Sequence, residues 1–229
     1  MDRHAFEKES FRHLEDVSNR MEEEQLKLLS LILSKEKDTV YGKDYCFSEI
    51  RSVEEYQKRL PYSDYDDYEK LIERQIRGEK GAFLSESPFF YCISSGSTGE
   101  PKYLPLKEED AAIQELYLCG AVPDMIRQEL GEEEPVNACR FQTVDVFRTF
   151  MSDGTLSGVR SGLAPEYARE QGRFPYERYY APGEILFPEQ LEDMLYVKIR
   201  FALAAKNITD IEGVFVHKLV GLFQYMEKR

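Results

Sequence analysis

The sequence predicts an α/β protein in two stretches, a helical layer over residues 1–87 followed by a mixed β-sheet with flanking helices over residues 88–229. Three observations point there. Before Pro88, apolar residues recur at three- and four-residue steps among Glu and Lys, the period of an amphipathic helix. After Pro88, apolar and aromatic runs appear that are too short for helices and suit buried strands. Those runs alternate with helical patterns to the end of the sequence, which favours helices packed on a sheet.

Each element follows from its local pattern. Phe11, Leu14, Val17, Met21, Leu28 and Ile32 put one apolar stripe on a single helix from Phe6 to Leu33, expected to cover the core. A turn at Tyr41-Gly42-Lys43-Asp44 follows. Val53 to Leu60 and Tyr65 to Gly78 read as helices, the second stopped by its glycine. Phe89 to Ile93 is a strand, and Tyr103 to Leu106 is its successor across a loop of small residues. Glu108 to Leu118 reads as a helix whose first-turn acids complement its dipole. The polar break GEEEP, from Gly131, separates it from a second strand region, Asn137 to Val146. Ser152 to Gly183, rich in Gly, Pro, Arg and Tyr, fits no one element and suggests a functional loop system. Leu191 to Ala205 is a helix, Gly213 to Val216 a short strand, and Leu219 to Lys228 a final helix.

The 229 residues make one large domain or two small ones. Apolar residues at 42% and charged residues at 32% supply a real core and exclude a disordered chain. There are 30 Lys plus Arg against 43 Asp plus Glu, a formal charge of -13, and a diffuse negative field of this kind opposes binding to nucleic-acid phosphates or anionic lipid. No apolar run nears the roughly 20 residues that cross a bilayer, and MDRHAFEKES lacks the apolar centre of a signal peptide. The expectation is a cytoplasmic protein with no nucleic-acid and no membrane partner. Cys46, Cys92, Cys119 and Cys139 form no CxxC pair and have no neighbouring histidine, so they read as reduced thiols, and no metal site is expected.

The stretch with the most chemistry is ISSGSTGEPK, Ile93 to Lys102. Consecutive Ser, Gly and Thr let the backbone fold tightly, so that amide hydrogens and hydroxyls converge on a point the size of a phosphate. Lys102 adds a cation within reach of a terminal phosphate. The spacing is not that of a Walker A loop, because Gly96 and Gly99 stand three apart and Pro101 precedes the lysine. It is not the GxSxG elbow of a hydrolase either. By composition alone, an ordinary surface turn and an anion nest both fit.

The order of the residues says more. SSGSTGEPK resembles the phosphate-binding signature of the adenylate-forming enzymes, a Ser- and Thr-rich glycine loop closed by Pro-Lys. The blocks TVYGKDYCFSEIRSVEEYQKRLPYSDYDDYEKLIERQIRGEKG before it and YYAPGEILFPEQLEDMLYVKIRFALAAKNITDIEGVFVHKLVGLFQYMEK after it resemble the Gretchen Hagen branch, the auxin-responsive acyl-acid amido synthetases and their bacterial relatives. The resemblance runs from about Thr39 to the end and implies the incomplete N-terminal part of an adenylate-forming large domain. It implies ATP and Mg2+ as cofactors of a full-length parent, with a carboxylic acid and an amino acid as substrates. The acid would attack the α-phosphorus of ATP and release pyrophosphate, and the amine would then attack the acyl-adenylate to form an amide. Ser94, Ser95, Ser97 and Thr98 would contact the phosphates, Gly96 and Gly99 would allow close approach, and Lys102 would stabilise the charge that develops.

The family's later magnesium and ribose motifs, and its small C-terminal domain, have no counterpart in the sequence. The resemblance therefore implies an N-terminal piece of a longer enzyme, truncated or split, inactive alone and without catalytic residues of its own. Its partner would be the missing C-terminal half or a second copy. Thioester-forming CoA-ligase chemistry and a non-catalytic interaction module are the alternatives.

Other candidates weigh less. Arg160, in LSGVRSG, is either a surface arginine or the partner of a substrate carboxylate, in the stretch where the family builds part of its acyl-acid pocket. Tyr179, Tyr180 and Pro182 line that pocket or fill the core. His217, expected just after a strand, reads as a structural histidine. The YSDYDDYE cluster reads as a solvated helix start.

Overall fold

A computed structural model describes residues 3–94, 101–131, 139–143, 149–188, 194–213 and 216–228. The helical layer opens with two helices, α1 (Arg3–Asn19) and α2 (Met21–Glu36), where one was expected. The backbone breaks at Arg20, φ −125° and ψ 31°. The break takes the second half of the expected stripe out of the core: Met21, Leu28 and Ile32 are 57%, 54% and 45% exposed, while Phe11, Leu14 and Val17 are half-buried. Apolar spacing alone does not distinguish a straight helix from two that meet at an angle.

Polar residues are buried in its place. Glu7 of α1 accepts from Arg3 Nε at 2.6 Å and from a guanidinium nitrogen of Arg127, whose other terminal nitrogen donates to buried Asp124 at 2.8 Å. Neutralised in this way, a carboxylate survives burial. Glu36, at the end of α2, accepts the N–H of Ser85 at 2.6 Å and pairs with Lys107, tying the helical layer to the sheet region.

Short helices complete the layer. α3 (Val40–Asp44) replaces the expected turn, because the Thr39 hydroxyl caps it by accepting the Gly42 N–H at 2.9 Å. α4 (Val53–Arg59) is capped by Ser52. α5 (Tyr65–Ile76) starts with a capping box in which Asp64 and Asp67 each accept a backbone N–H, and Gly78 follows it with φ +93°.

The strands form two sheets among the described residues. They are β1 (Phe90–Ile93), β2 (Tyr103–Leu106), β3 (Cys139–Gln142), β4 (Thr149–Phe150), β5 (Leu156–Gly158) and β6 (Ile208–Glu212). One sheet has the order β2-β1-β5-β4, with β1 parallel to β5 and antiparallel to β2; β3 and β6 pair in parallel in the other.

The helix after β2, α6 (Glu108–Gln114), continues as a π-helical segment, Glu115–Ala121, into α7 (Val122–Leu130), rather than ending at Leu118. Pro123 has no N–H to give the Cys119 carbonyl, and a widened turn ahead of it accommodates the ring. The irregular stretch 152–183 holds β5, α8 (Leu163–Glu170) and the start of α9 (Gly183–Leu186). α10 (Met194–Ala204) and α11 (Val216–Glu227) agree in type with expectation.

The strand expected at Gly213 to Val216 is a correction. Gly213 is outside any strand, Val216 opens α11, residues 214–215 lie outside the described residues, and the strand in this stretch is Ile208–Glu212. A four-residue apolar run suits a strand or a helix start equally, and pairing with β3 decides for ITDIE. Beneath α6, Ala111 packs on Phe90, Cys92, Leu156 and Leu163, which seats that helix on the β1–β5 pair.

Candidate functional site

Two parallel strands deliver the candidate residues to one edge of the sheet. Cys92 lies opposite Gly158 in the β1–β5 register, so Ser94 and Arg160 leave the carboxyl ends of neighbouring strands two residues later. Ligands of open α/β sheets bind outside the carboxyl ends of the strands. α6 converges on the same edge. It starts beside the amino end of β1, since Leu106 pairs with Phe90, and its last residue, Gln114, donates from Nε2 to the Arg160 carbonyl at 3.3 Å. The carboxamide Oε1 of Gln114 is buried and finds no donor among the described residues. Burial pushes the Cys92 thiol up, while the charge and backbone N–H of Arg160 pull it the other way.

The mouth of the small-residue loop is clasped. Ser94 N–H donates to the Lys102 carbonyl at 2.9 Å, and the Ser94 hydroxyl accepts the Lys102 N–H at 3.2 Å. Both ends of the loop are thus pinned at the edge where Arg160 emerges. Ser95, Gly96, Ser97, Thr98 and Gly99 lie outside the described residues. Lys102 turns toward α5: its Nζ is 4.9 Å from the centre of the Tyr65 ring and 3.4 Å from Asp66 Oδ1. The Tyr65 hydroxyl in turn accepts the N–H of Tyr103 at 3.0 Å.

The structure sorts the remaining candidates. Tyr180 is core, edge-on to Phe141 at 4.6 Å, and Tyr179 stacks on Phe174 at 4.9 Å, while Pro182 is exposed ahead of α9. His217 is exposed in the first turn of α11. All four cysteines are free, with Cys92 and Cys139 buried. A concavity of about 410 Å³ between α2 and residues 47–53 contains none of the candidate residues. No described group of His, Cys, Asp and Glu side chains is placed to hold a metal ion, and no Mg2+ ligand is assigned on this chain. Tyr65, Asp66 and Gln114 are the contacts that sequence reasoning missed. Tyr65 and Asp66 sit in a cluster whose pattern speaks only of a helix start, and nothing local marks Gln114.

Known proteins share this architecture. Two plant indole-3-acetic acid-amido synthetases are similar in sequence. GH3.3 of Arabidopsis thaliana is 25% identical over 227 residues, 95% of this chain and 37% of that protein. The probable synthetase GH3.13 of Oryza sativa subsp. japonica is 23% identical over 176 residues, 75% of this chain and 37% of that protein. In fold, the chain is similar to AtGH3.15 acyl acid amido synthetase in complex with 2,4-DB, with a TM-score of 0.77 at 17% identity over 97% of this chain and 38% of that one. The chain thus spans little more than a third of the length of the relatives it matches. These relatives are amide-forming synthetases, and neither the thioester reading nor that of a non-catalytic module is favoured. The model of the GH3 family N-terminal domain matches residues 10–229, starting within α1 and well ahead of the quoted blocks, and the chain therefore belongs to the GH3 family.

Proposed function

We propose that this chain is the phosphate- and acid-binding portion of an ATP-dependent acyl-acid amido synthetase, acting in the cytoplasm. One observation supports the reading above others: the loop is clasped by Ser94 and Lys102 at the carboxyl edge of a parallel pair, beside Arg160. In the parent enzyme the substrate carboxylate attacks the α-phosphorus of ATP, and the bond to pyrophosphate breaks. The amine then attacks the acyl carbon, and AMP leaves. Ser94, Ser95, Ser97 and Thr98, with the amides freed by Gly96 and Gly99, hold the departing phosphates, and Lys102 offsets their charge. Arg160 pairs with the acid's carboxylate. Mg2+ enters with the nucleotide, and the two stretches 1–87 and 88–229 form one incomplete large domain. The acid belongs to the auxin-like class named for the relatives, and the amine is an amino acid.

A piece holding one phosphate loop binds nucleotide weakly and does not turn over, since orientation of all reacting groups supplies much of catalysis. The outward apolar side chains of α10 and α11, such as Leu203, Val216 and Phe223, support association with a second copy or with the remaining length the relatives carry. The test is a chemical-shift titration of the chain with ATP and with pyrophosphate. Wild type is expected to saturate in the millimolar range, and the double variant Ser95→Ala, Thr98→Ala to lose about 1.4 kcal/mol or more, a tenfold drop in affinity. Unchanged affinity in the double variant refutes the loop assignment, and AMP or amide formation by the purified chain refutes its inactivity.

A further inference from the structure

Resting on the phosphate-loop reading, we propose that Tyr65 is a positioning residue for Lys102: its ring seats the ammonium group, and neighbouring Asp66 holds that group until the phosphates of a nucleotide compete for it. A single side chain at the first position of α5 contacts both Lys102 and the residue that follows it. The ring faces Nζ at 4.9 Å, and the hydroxyl accepts the N–H of Tyr103, the residue directly behind the lysine, at 3.0 Å. On the other side, Ser94 holds the lysine's own N–H and carbonyl. With the main chain fixed from both directions, the lysine side chain is the part left to move.

The acids at the start of α5 divide their work. Asp64 and Asp67 spend their carboxylates on the capping box, whereas Asp66 turns its carboxylate to Lys102 at 3.4 Å. The pair is water-exposed, with side chains 42% and 78% accessible, and ion pairs that exposed hold weakly. A polyanion at the loop therefore takes the lysine from Asp66 at little cost. The ring, which attracts the cation without neutralising it, keeps the lysine at the loop mouth during the exchange.

The test is pyrophosphate affinity at constant ionic strength, by chemical-shift titration, with circular dichroism confirming each fold. Asp66→Asn is expected to raise affinity about threefold, an outcome that a damaged fold does not produce. Tyr65→Leu is expected to lower it about fivefold, and Tyr65→Phe, which keeps the ring, to stay within about twofold of wild type. The double-mutant cycle decides between positioning and mere structure: Lys102→Ala costs about tenfold in wild type and about twofold in the Tyr65→Leu background. Equal costs in both backgrounds, or no gain from Asp66→Asn, overturn the proposal. Loss of any effect of Lys102→Ala in wild type, or no pyrophosphate binding by wild type, overturns the phosphate-loop reading and this proposal with it.

Discussion

Gly120→Ala tests how the first helix is held against the rest of the protein. A Cβ at Gly120 would stand 2.3 Å from Ser10 Oγ, 2.6 Å from Ser10 Cβ and 3.1 Å from a ring carbon of Phe6. Carbon atoms in contact prefer about 3.5–4.0 Å, so α1 must withdraw by about 1 Å. Overpacking of this kind costs about 1–3 kcal/mol. Withdrawal also stretches the buried contact between Glu7 and Arg127, and breaking such a pair outright costs about 3–5 kcal/mol. With part of that loss added, the expected destabilisation is about 3 kcal/mol. Urea unfolding measures it as a midpoint lowered by about 1 M at unchanged slope. Ser10→Gly removes the two nearest obstructing atoms, and the double variant should regain half the loss or more, even though glycine costs about 1 kcal/mol within a helix. A Gly120→Ala variant within about 0.5 kcal/mol of wild type, or no recovery in the double variant, refutes the close crossing of α1 over the π-helical segment.

Two further predictions concern stability. Burial pushes the Tyr179 hydroxyl up to about 12, with Glu212 adding to the rise and Arg140 opposing it. A tyrosine in the unfolded chain titrates near 10, so this group's contribution is complete below about pH 10 and lost between about pH 10 and 12, roughly 3 kcal/mol in all. Tyr179→Phe should flatten that part of the alkaline stability curve; identical slopes for the two proteins contradict the assignment. Gln75 is buried and serves three backbone groups, accepting from Phe83 N at 3.1 Å and Leu84 N at 2.7 Å and donating to the Glu86 carbonyl at 3.1 Å. Gln75→Leu strands these groups and should cost about 3 kcal/mol, with the Phe83 and Leu84 amides exchanging at least about a hundredfold faster. Unchanged protection of those two amides rules the role out.

The sequence by itself determined the α/β class, both strands around the small-residue loop, the helix that ends before Gly78, and the resemblance that placed the chain in the GH3 family. Each is carried by residues adjacent in the chain: a capping Asp, a run of apolar residues, a glycine needing positive φ, a motif read in order. Only the tertiary structure decided what these elements meet. The break at Arg20, the burial of Glu7 and Glu36, and the strand at Ile208–Glu212 depend on partners distant in sequence, such as Arg127, 120 residues from Glu7. The same holds at the candidate site. The strands that flank the loop could be read from their residues, but Asp66 lies 36 positions from Lys102 and Gln114 lies 46 from Arg160, and no local pattern encodes either contact. Periodicity reports which face of a segment is apolar; which charges that face buries is settled by the side chains that arrive opposite.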